Sequence, residues 1–421
     1  MARVDKTIHL MECIKNLQDP QSELLLLRNC AGVSKLYFAM RTTKPQFLQA
    51  AQVRFDQFLL QFLRYLVTGD GPGFGPIQQR IATLPIRDGG LGVYTMADTV
   101  PYCYLASIFQ TKYLQDTILR STFDFSPHFQ IALENYMEVC GLSSSTFNIK
   151  DTAPQPMHFL AVRFFDVVKR TISNTFNLSE RDSILWQCNR QAHAQDYLKV
   201  FPIPGLNQVV GPRQFRSVLQ YRLGIPIFEG VSSCSCCHRI TDRFGDHAIH
   251  YASEVGQKFR HDMVRDLFVD LCYKVGVAAR KEAALGFSSD TKSSLKPADI
   301  LVYNWKNCKD MCFDVTNVSP FSKGGNRSFT PDHAISAAIT RKRNKYVDIC
   351  SSSGYGFGVL VFSTLGELGD DVVVLLKRLK NCMSSHDGNS SLGSFLISRL
   401  GIIIQKGVGA QIVARLLARS V

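Results

Sequence analysis

What this 421-residue sequence lacks narrows its class before any motif is read. No secretory signal opens it, and its longest apolar runs are broken by Gly, Lys or Gln, as in residues 401–405, so no membrane-spanning segment is expected. The expected location is nuclear or cytoplasmic, not secreted and not in a membrane. The thirteen cysteines follow no regular framework, which points to reduced thiols or metal ligands rather than disulfides. The glycine-rich run at residues 69–76 has neither the lysine nor the strand context of a phosphate-binding loop. The one adjacent aspartate pair, Asp370 and Asp371, precedes an apolar run and reads as a helix start favoured by the dipole. A polymerase needs paired aspartates on a palm hairpin to hold two metals, so polymerase activity is not expected.

What is present describes an ordinary globular chain, 45% hydrophobic and 20% charged, long enough for two or three domains with their own cores. A net charge of +13 and a pI near 9.2 suggest a polyanionic partner, because each lysine or arginine set on a phosphate releases counterions. Many soluble proteins are basic without binding nucleic acid, so charge alone does not decide this.

The first half reads as helices and loops. Residues 23–30 form a leucine-rich helical run, and Phe55, Phe58, Leu59, Phe62, Leu63 and Leu66 recur at threes and fours, which predicts a wholly apolar helix face. Leu84-Pro85-Ile86-Arg87-Asp88-Gly89-Gly90-Leu91-Gly92 suits a tight turn. Phe159, Val162, Phe165 and Val168 form a further packed face, and residues 143–145 and 154–156 punctuate the text around them. His193 sits in a polar stretch and reads as a surface or capping residue. The Pro- and Gly-rich residues 202–212 mark a boundary. Beyond them Arg213, Arg216, Tyr221 and Arg222 share a short helix, suited to phosphate contacts or equally to a solvated basic face.

The chemistry-bearing stretches lie further on. Residues 295–303 and 311–316 read as two short apolar strands joined by a polar turn at 304–310, each with one embedded acid, Asp299 and Asp314. An antiparallel pair would hold the two carboxylates side by side, and a divalent metal is the usual companion of such a pair. For either acid alone, a solvent-facing place on an edge hairpin is the simpler reading. Upstream, residues 258–276 predict an amphipathic helix through Phe259, Met263, Leu267 and Leu271, and residues 277–285 a first strand with Glu282. Downstream, Asp332 is placed to cap a helix carrying Lys342, Lys345 and Tyr346, and residues 357–362 read as a last strand. The order is helix, three strands, helix, strand.

That order and seven local tags resemble the restriction-enzyme-like PD-(D/E)XK endonuclease domain of plant-type non-LTR retrotransposon proteins derived from reverse transcriptase. The tags are Cys234-x-x-Cys237, Gly245-Asp246-His247-Ala248-Ile249-His250, Phe259-Arg260-His261-Asp262, Lys281-Glu282-Ala283, Lys296-Pro297-Ala298-Asp299, Asp314-Val315-Thr316-Asn317-Val318-Ser319-Pro320 and Lys342-x-x-Lys345-Tyr346. They run in the family's order across roughly residues 200–365. The glycine-rich turn at 84–92, within residues 24–107, is similar to the segment after the palm of the same reverse transcriptases.

The resemblance implies an α+β or α/β chain with a mainly helical N-terminal half. Its expected parts are 1–204, a thumb and connector remnant; 205–256, a basic helix and Cys/His segment; 257–365, the endonuclease core; and 366–421, a C-terminal helical extension. It implies Asp299 and Asp314 as ligands of magnesium or manganese, with Glu282 as a third acid. The motif's common lysine position is Thr316 here, and in the retroelement branch the lysine moves to the following helix, matching Lys342 for the water and Lys345 for the phosphate. Arg260 and His261, with Arg213 and Arg216, would meet the substrate backbone. Zinc is implied at Cys234, Cys237 and His247. The family's fourth ligand is replaced by Tyr251, so His250 or Cys236 substitutes or the site is weakened. The implied function is metal-dependent nicking of target DNA, with RNA as a second partner. The alternatives are an inactive nucleic-acid-binding fragment and a helical adaptor that binds a protein.

Overall fold

The computed structural model describes residues 1–120, 127–142, 155–230, 233–234, 238–250, 255–283, 285, 296–306, 308–321, 330, 332–387 and 392–417. Residues 143–145, 154, 236, 237, 251 and 295, which carry expectations above, lie outside the described residues. Contacts divide the chain into two compact units, Met1–Ser183 and Ile184–Val421.

The first unit is helical among its described residues. Helix α1 (Gln49–Thr68) buries Phe55, Leu59, Phe62, Leu63 and Leu66 of the stripe its spacing predicts, and Phe58 is half-buried. Helix α2 (Met96–Leu119) starts against it: Asp56 accepts hydrogen bonds from the backbone of Met96 at 2.6 Å and Ala97 at 2.9 Å. A carboxylate at amides that have no intrahelical partner satisfies donors that would otherwise be orphaned. Helix α3 (Pro156–Phe176) buries Leu160, Phe164, Phe165 and Ile172, so Phe165 alone of the expected face is fully buried. The buried stripe is offset from the expected one: Phe159 is half-buried, with the Arg163 guanidinium 5.1 Å from its ring centre.

The second unit is α+β. Its first residues belong to it because Asn189 is tied to helix α4 (Pro212–Arg222). The Asn189 side chain donates to Arg222 O at 2.8 Å, and the buried Arg222 guanidinium returns a bond to Asn189 Oδ1 at 3.1 Å. The division therefore precedes the Pro- and Gly-rich stretch expected to mark it. Arg222 also donates to Ala194 O, and Tyr221 is 1% exposed, so neither faces a phosphate. Helix α5 (Val255–Lys274) follows, and then strands β1 (Ala279–Lys281), β2 (Ile300–Lys306) and β3 (Lys309–Val318). Helix α6 (His333–Ser352), strand β4 (Gly356–Ser363), helix α7 (Asp370–Asp387) and helix α8 (Leu392–Leu417) complete it. The expected order of helix, three strands, helix, strand is the observed one.

Among the described residues the strands form one sheet, β1-β2-β3-β4, antiparallel between the first three and parallel between β3 and β4. The β2–β3 pair is short enough in its link for a hairpin, whereas β3 and β4 need the α6 crossover. Ile300 pairs with Phe313 and Leu301 with Cys312, so extending that register by one residue sets Asp299 across from Asp314. Leu301 and Cys312 share an apolar cluster with Cys350 of α6. With side chains alternating along each strand, Asp299 and Asp314 lie on that same face.

Helix α6 covers this face with Ile335, Ala338, Tyr346 and Cys350, all buried. Asp332 does not cap it as expected: its backbone is left-handed, with φ 66°, and its side chain makes no cap bond.

Helix α8 corrects one expectation. Phe395–Leu416 is long and apolar enough to cross a membrane by length and composition, contrary to the expectation of no such segment, and 67% of the apolar window is buried inside the protein. It packs on α4, α5 and residues 196–199 within the second unit. Its interrupting glycines are where other elements approach. A Cβ at Gly409 would lie 2.8 Å from Gln214 O, and one at Gly407 would lie 2.7 Å from Arg260 Cγ. Glycine here allows close helix packing and does not break the helix.

Candidate active site

A cavity of about 470 Å³ opens beside the strand ends, lined by Asp299, Asp314, Thr316, His261 and Lys342 together with Gln257, Lys258, Lys296, Asn317, Arg341 and Tyr346. Four separate segments of chain meet here, and each brings one chemical group for a local reason.

Asp314 sits on the central strand with its side chain 5% exposed. Lys342 Nζ donates to its Oδ1 at 2.8 Å and Thr316 Oγ1 to its Oδ2 at 2.6 Å. Thr316 follows Asp314 by two, so strand alternation puts both on one face. Burial pushes the Asp314 carboxyl above its ordinary range; Lys342 and Thr316 draw it back, and the neighbouring Asp299 carboxylate adds to the rise.

Lys342 reaches Asp314 because it lies in the buried stripe of α6, four residues after Ala338 and four before Tyr346. A lysine in such a stripe needs an anion, and Asp314 is that anion. Lys345 lies one position off the stripe. Its side chain does not line the cavity, is exposed, and has its ammonium 4.9 Å from the Tyr346 ring centre. The expected pair of inward lysines is a single one.

Asp299 immediately precedes β2 at the same end. Its Oδ2 accepts from Val315 N at 2.7 Å and lies 3.2 Å from His261 Nε2, while no hydrogen bond reaches its Oδ1 among the described residues. His261 also lies 3.3 Å from Asp262 Oδ1 through Nδ1. Burial by itself would lower the His261 imidazole, but Asp299 and Asp262 outweigh it and raise it.

Four expected participants stand elsewhere. Strand β1 ends at Lys281, and Glu282 turns out of it with φ 44°. Its backbone donates to Asp299 O at 2.9 Å, yet its carboxylate is 58% exposed and paired with Arg265, outside the cavity lining. Arg260, expected at the substrate, is fully buried: Nη2 donates to Asn317 Oδ1 at 2.6 Å, Nε and Nη1 have no partner among the described residues, and burial lowers the guanidinium to about 10. It positions Asn317 from behind the cavity wall. Arg213 is exposed on α4 and Arg216 half-buried, and neither lines the cavity.

The zinc expectation falls partly outside the described residues, since Cys237 is not among them. Cys234 is 4% exposed, with Arg415 Nη1 3.5 Å from its Sγ. His247 and His250 occupy the helical turn Asp246–His250. Burial, Arg260 and His247 lower the His250 imidazole. Among the described residues no three His, Cys, Asp or Glu side chains converge to hold a metal. For zinc no ligand set is complete among the described residues, and no chemistry is routed through it. For magnesium the donor set fits: this ion uses one or two carboxylates, keeps several waters and takes substrate phosphates, without an all-protein cage. Asp299 and Asp314 supply two hard carboxylates on one wall.

The cavity also holds side chains to which no role was given from sequence. Lys258 precedes His261 by one helical turn, Lys296 precedes Asp299 by three residues, and Arg341 adjoins Lys342. Those short offsets from the assigned residues were the available signal. No known protein-family model matches the chain, and no curated protein matches it.

Proposed function

We propose that the second unit is a PD-(D/E)XK-type nuclease domain of retroelement origin that nicks DNA by metal-dependent phosphodiester hydrolysis. The observation that carries this reading is the grouping of Asp299, Asp314 and Lys342 on one wall of an open cavity, with the amine 2.8 Å from Asp314 Oδ1. Two carboxylates across a strand pair beside a cation suit a phosphate and its metal better than they suit a packed core.

Magnesium or manganese bound there would supply a Lewis acid for the phosphate oxygen and a water of lowered pKa. Asp299 and Asp314 would hold it, the first through an oxygen that no hydrogen bond occupies among the described residues. Thr316 keeps the Asp314 carboxylate in one orientation. The Lys342 ammonium, held at the cavity wall, hydrogen-bonds the attacking water or the scissile phosphate and offsets charge that develops there. His261 fixes the Asp299 carboxylate from the opposite side. Glu282 acts only through Arg265 and its own backbone bond to Asp299 O.

Purified full-length chain incubated with supercoiled plasmid and magnesium or manganese tests this, beside Asp299→Ala and Lys342→Ala. Metal-dependent relaxation of the plasmid lost in both variants supports hydrolysis. Plasmid retention without nicking supports the second reading, a binding protein without turnover, which the occupation of both Asp314 oxygens by Lys342 and Thr316 favours.

A further inference from the structure

Three cations on the cavity wall have no part in the chemistry assigned above. Lys258 on α5, Lys296 ahead of β2 and Arg341 on α6 line the same cavity as Asp299 and Asp314, and all three are exposed. Nearby cations are neutralised within the protein: Lys342 by Asp314, Arg343 by Asp371, and Arg265 by Asp262, Asp266 and Glu282. Lys258, Lys296 and Arg341 form no ion pair among the described residues. The lining therefore sets four cations against two carboxylates, leaving His261 aside, and stays net positive with both acids ionised.

One phosphate placed at the acids and Lys342 leaves these three charges unanswered. A ligand with further anionic groups on either side of that phosphate answers them, and a nucleic acid strand has one at every nucleotide. The neutral donors Gln257 and Asn317 on the same wall suit phosphate or sugar oxygens. We propose that Lys258, Lys296 and Arg341 form a phosphate rail that grips a nucleic acid strand on both sides of the bond presented to Asp299 and Asp314. The rail rests on the proposed hydrolytic reading for its orientation, but its grip does not depend on turnover.

Counterion release makes the rail measurable. The full-length chain is titrated with a labelled duplex of about 20 base pairs in EDTA, across roughly 50–200 mM salt, as wild type, Lys258→Gln, Lys296→Gln, Arg341→Gln and the triple variant. Each substitution is expected to lower the slope of log K against log salt by about 0.9, and the triple variant by about 2.7; with a single strand the drop is about 0.7 each. The exposed positions tolerate glutamine, far-UV circular dichroism checks the fold, and Lys258→Arg with Lys296→Arg is expected to keep the wild-type slope. A triple variant with wild-type affinity and slope overturns the rail, whether or not the protein nicks plasmid. A reduced slope in a protein that never nicks upholds the rail and overturns hydrolysis instead.

Discussion

The ammonium of Lys342 lies 2.8 Å from Asp314 Oδ1, joining the helix that follows the sheet to the central strand beneath it. Asp314 is 5% exposed and Lys342 25%, so the pair is mostly withdrawn from water. Its consequences reach both stability and chemistry, because Lys342 is the cation that pairs with Asp314 among the described residues.

Breaking the pair from one side should cost more than removing it. Lys342→Met leaves a buried carboxylate without its cation and is expected to destabilise the protein by about 3 kcal/mol, near the low end for buried pairs because the lysine keeps some water contact. Asp314→Asn combined with Lys342→Met should be less destabilised than the sum of the single changes, by about 1–2 kcal/mol. Urea unfolding of the four proteins measures this, and strict additivity would dismiss the coupling.

Activity should separate the cavity residues from their neighbours. Asp299→Asn and Lys342→Ala are each expected to lower plasmid nicking by about 10²-fold or more, the scale for removing a preorganised charged group. Glu282→Gln and Lys345→Ala should stay within a few-fold of wild type, because one carboxylate faces Arg265 and the other ammonium faces Tyr346. Loss of nicking in Glu282→Gln equal to that in Asp299→Asn would return Glu282 to the metal.

Helix α8 allows a test in which propensity and packing oppose each other. Alanine for glycine within a helix is ordinarily favourable by about 1 kcal/mol. At Gly407 the new methyl would lie 2.7 Å from Arg260 Cγ and 2.9 Å from its Cβ, and Arg260 is fully buried and cannot swing away. Gly407→Ala is therefore expected to destabilise by about 1–3 kcal/mol. A rise in melting temperature would mean that the α5–α8 contact is looser than described.

Glu367 should make stability depend on pH. Burial pushes its carboxyl up to about 7 from 4.5; Ser363 draws it down and Asp332 pushes it further up. A folded-state value above the unfolded one means the native state holds the proton more tightly. The stabilisation is full below pH 4.5 and is lost as pH rises through about 7. The whole shift corresponds to about 3 kcal/mol. Urea midpoints of wild type should fall between about pH 5 and pH 8, and Glu367→Gln should flatten that fall; an equal fall in both proteins would assign the dependence to other groups.

The sequence by itself determined the order of elements in the second unit and the pairing of two acids on neighbouring strands. Both are local properties: the apolar stripe of α1, the acid-bearing strands β2 and β3 and the helix with Lys342 follow from periods of 3.6 and 2 along the chain. Even the choice of Lys342 over Lys345 was legible in principle, since Ala338, Lys342 and Tyr346 recur every four residues. What only the tertiary structure decided depends on which surfaces meet. The same fourfold pattern could not tell that Arg260 is sealed behind Asn317, that Glu282 turns toward Arg265, or that the glycines of α8 admit α4 and α5 and make a packed helix of an interrupted apolar run. Those outcomes follow from close approach between segments distant in the chain, and spacing along one segment carries no record of them.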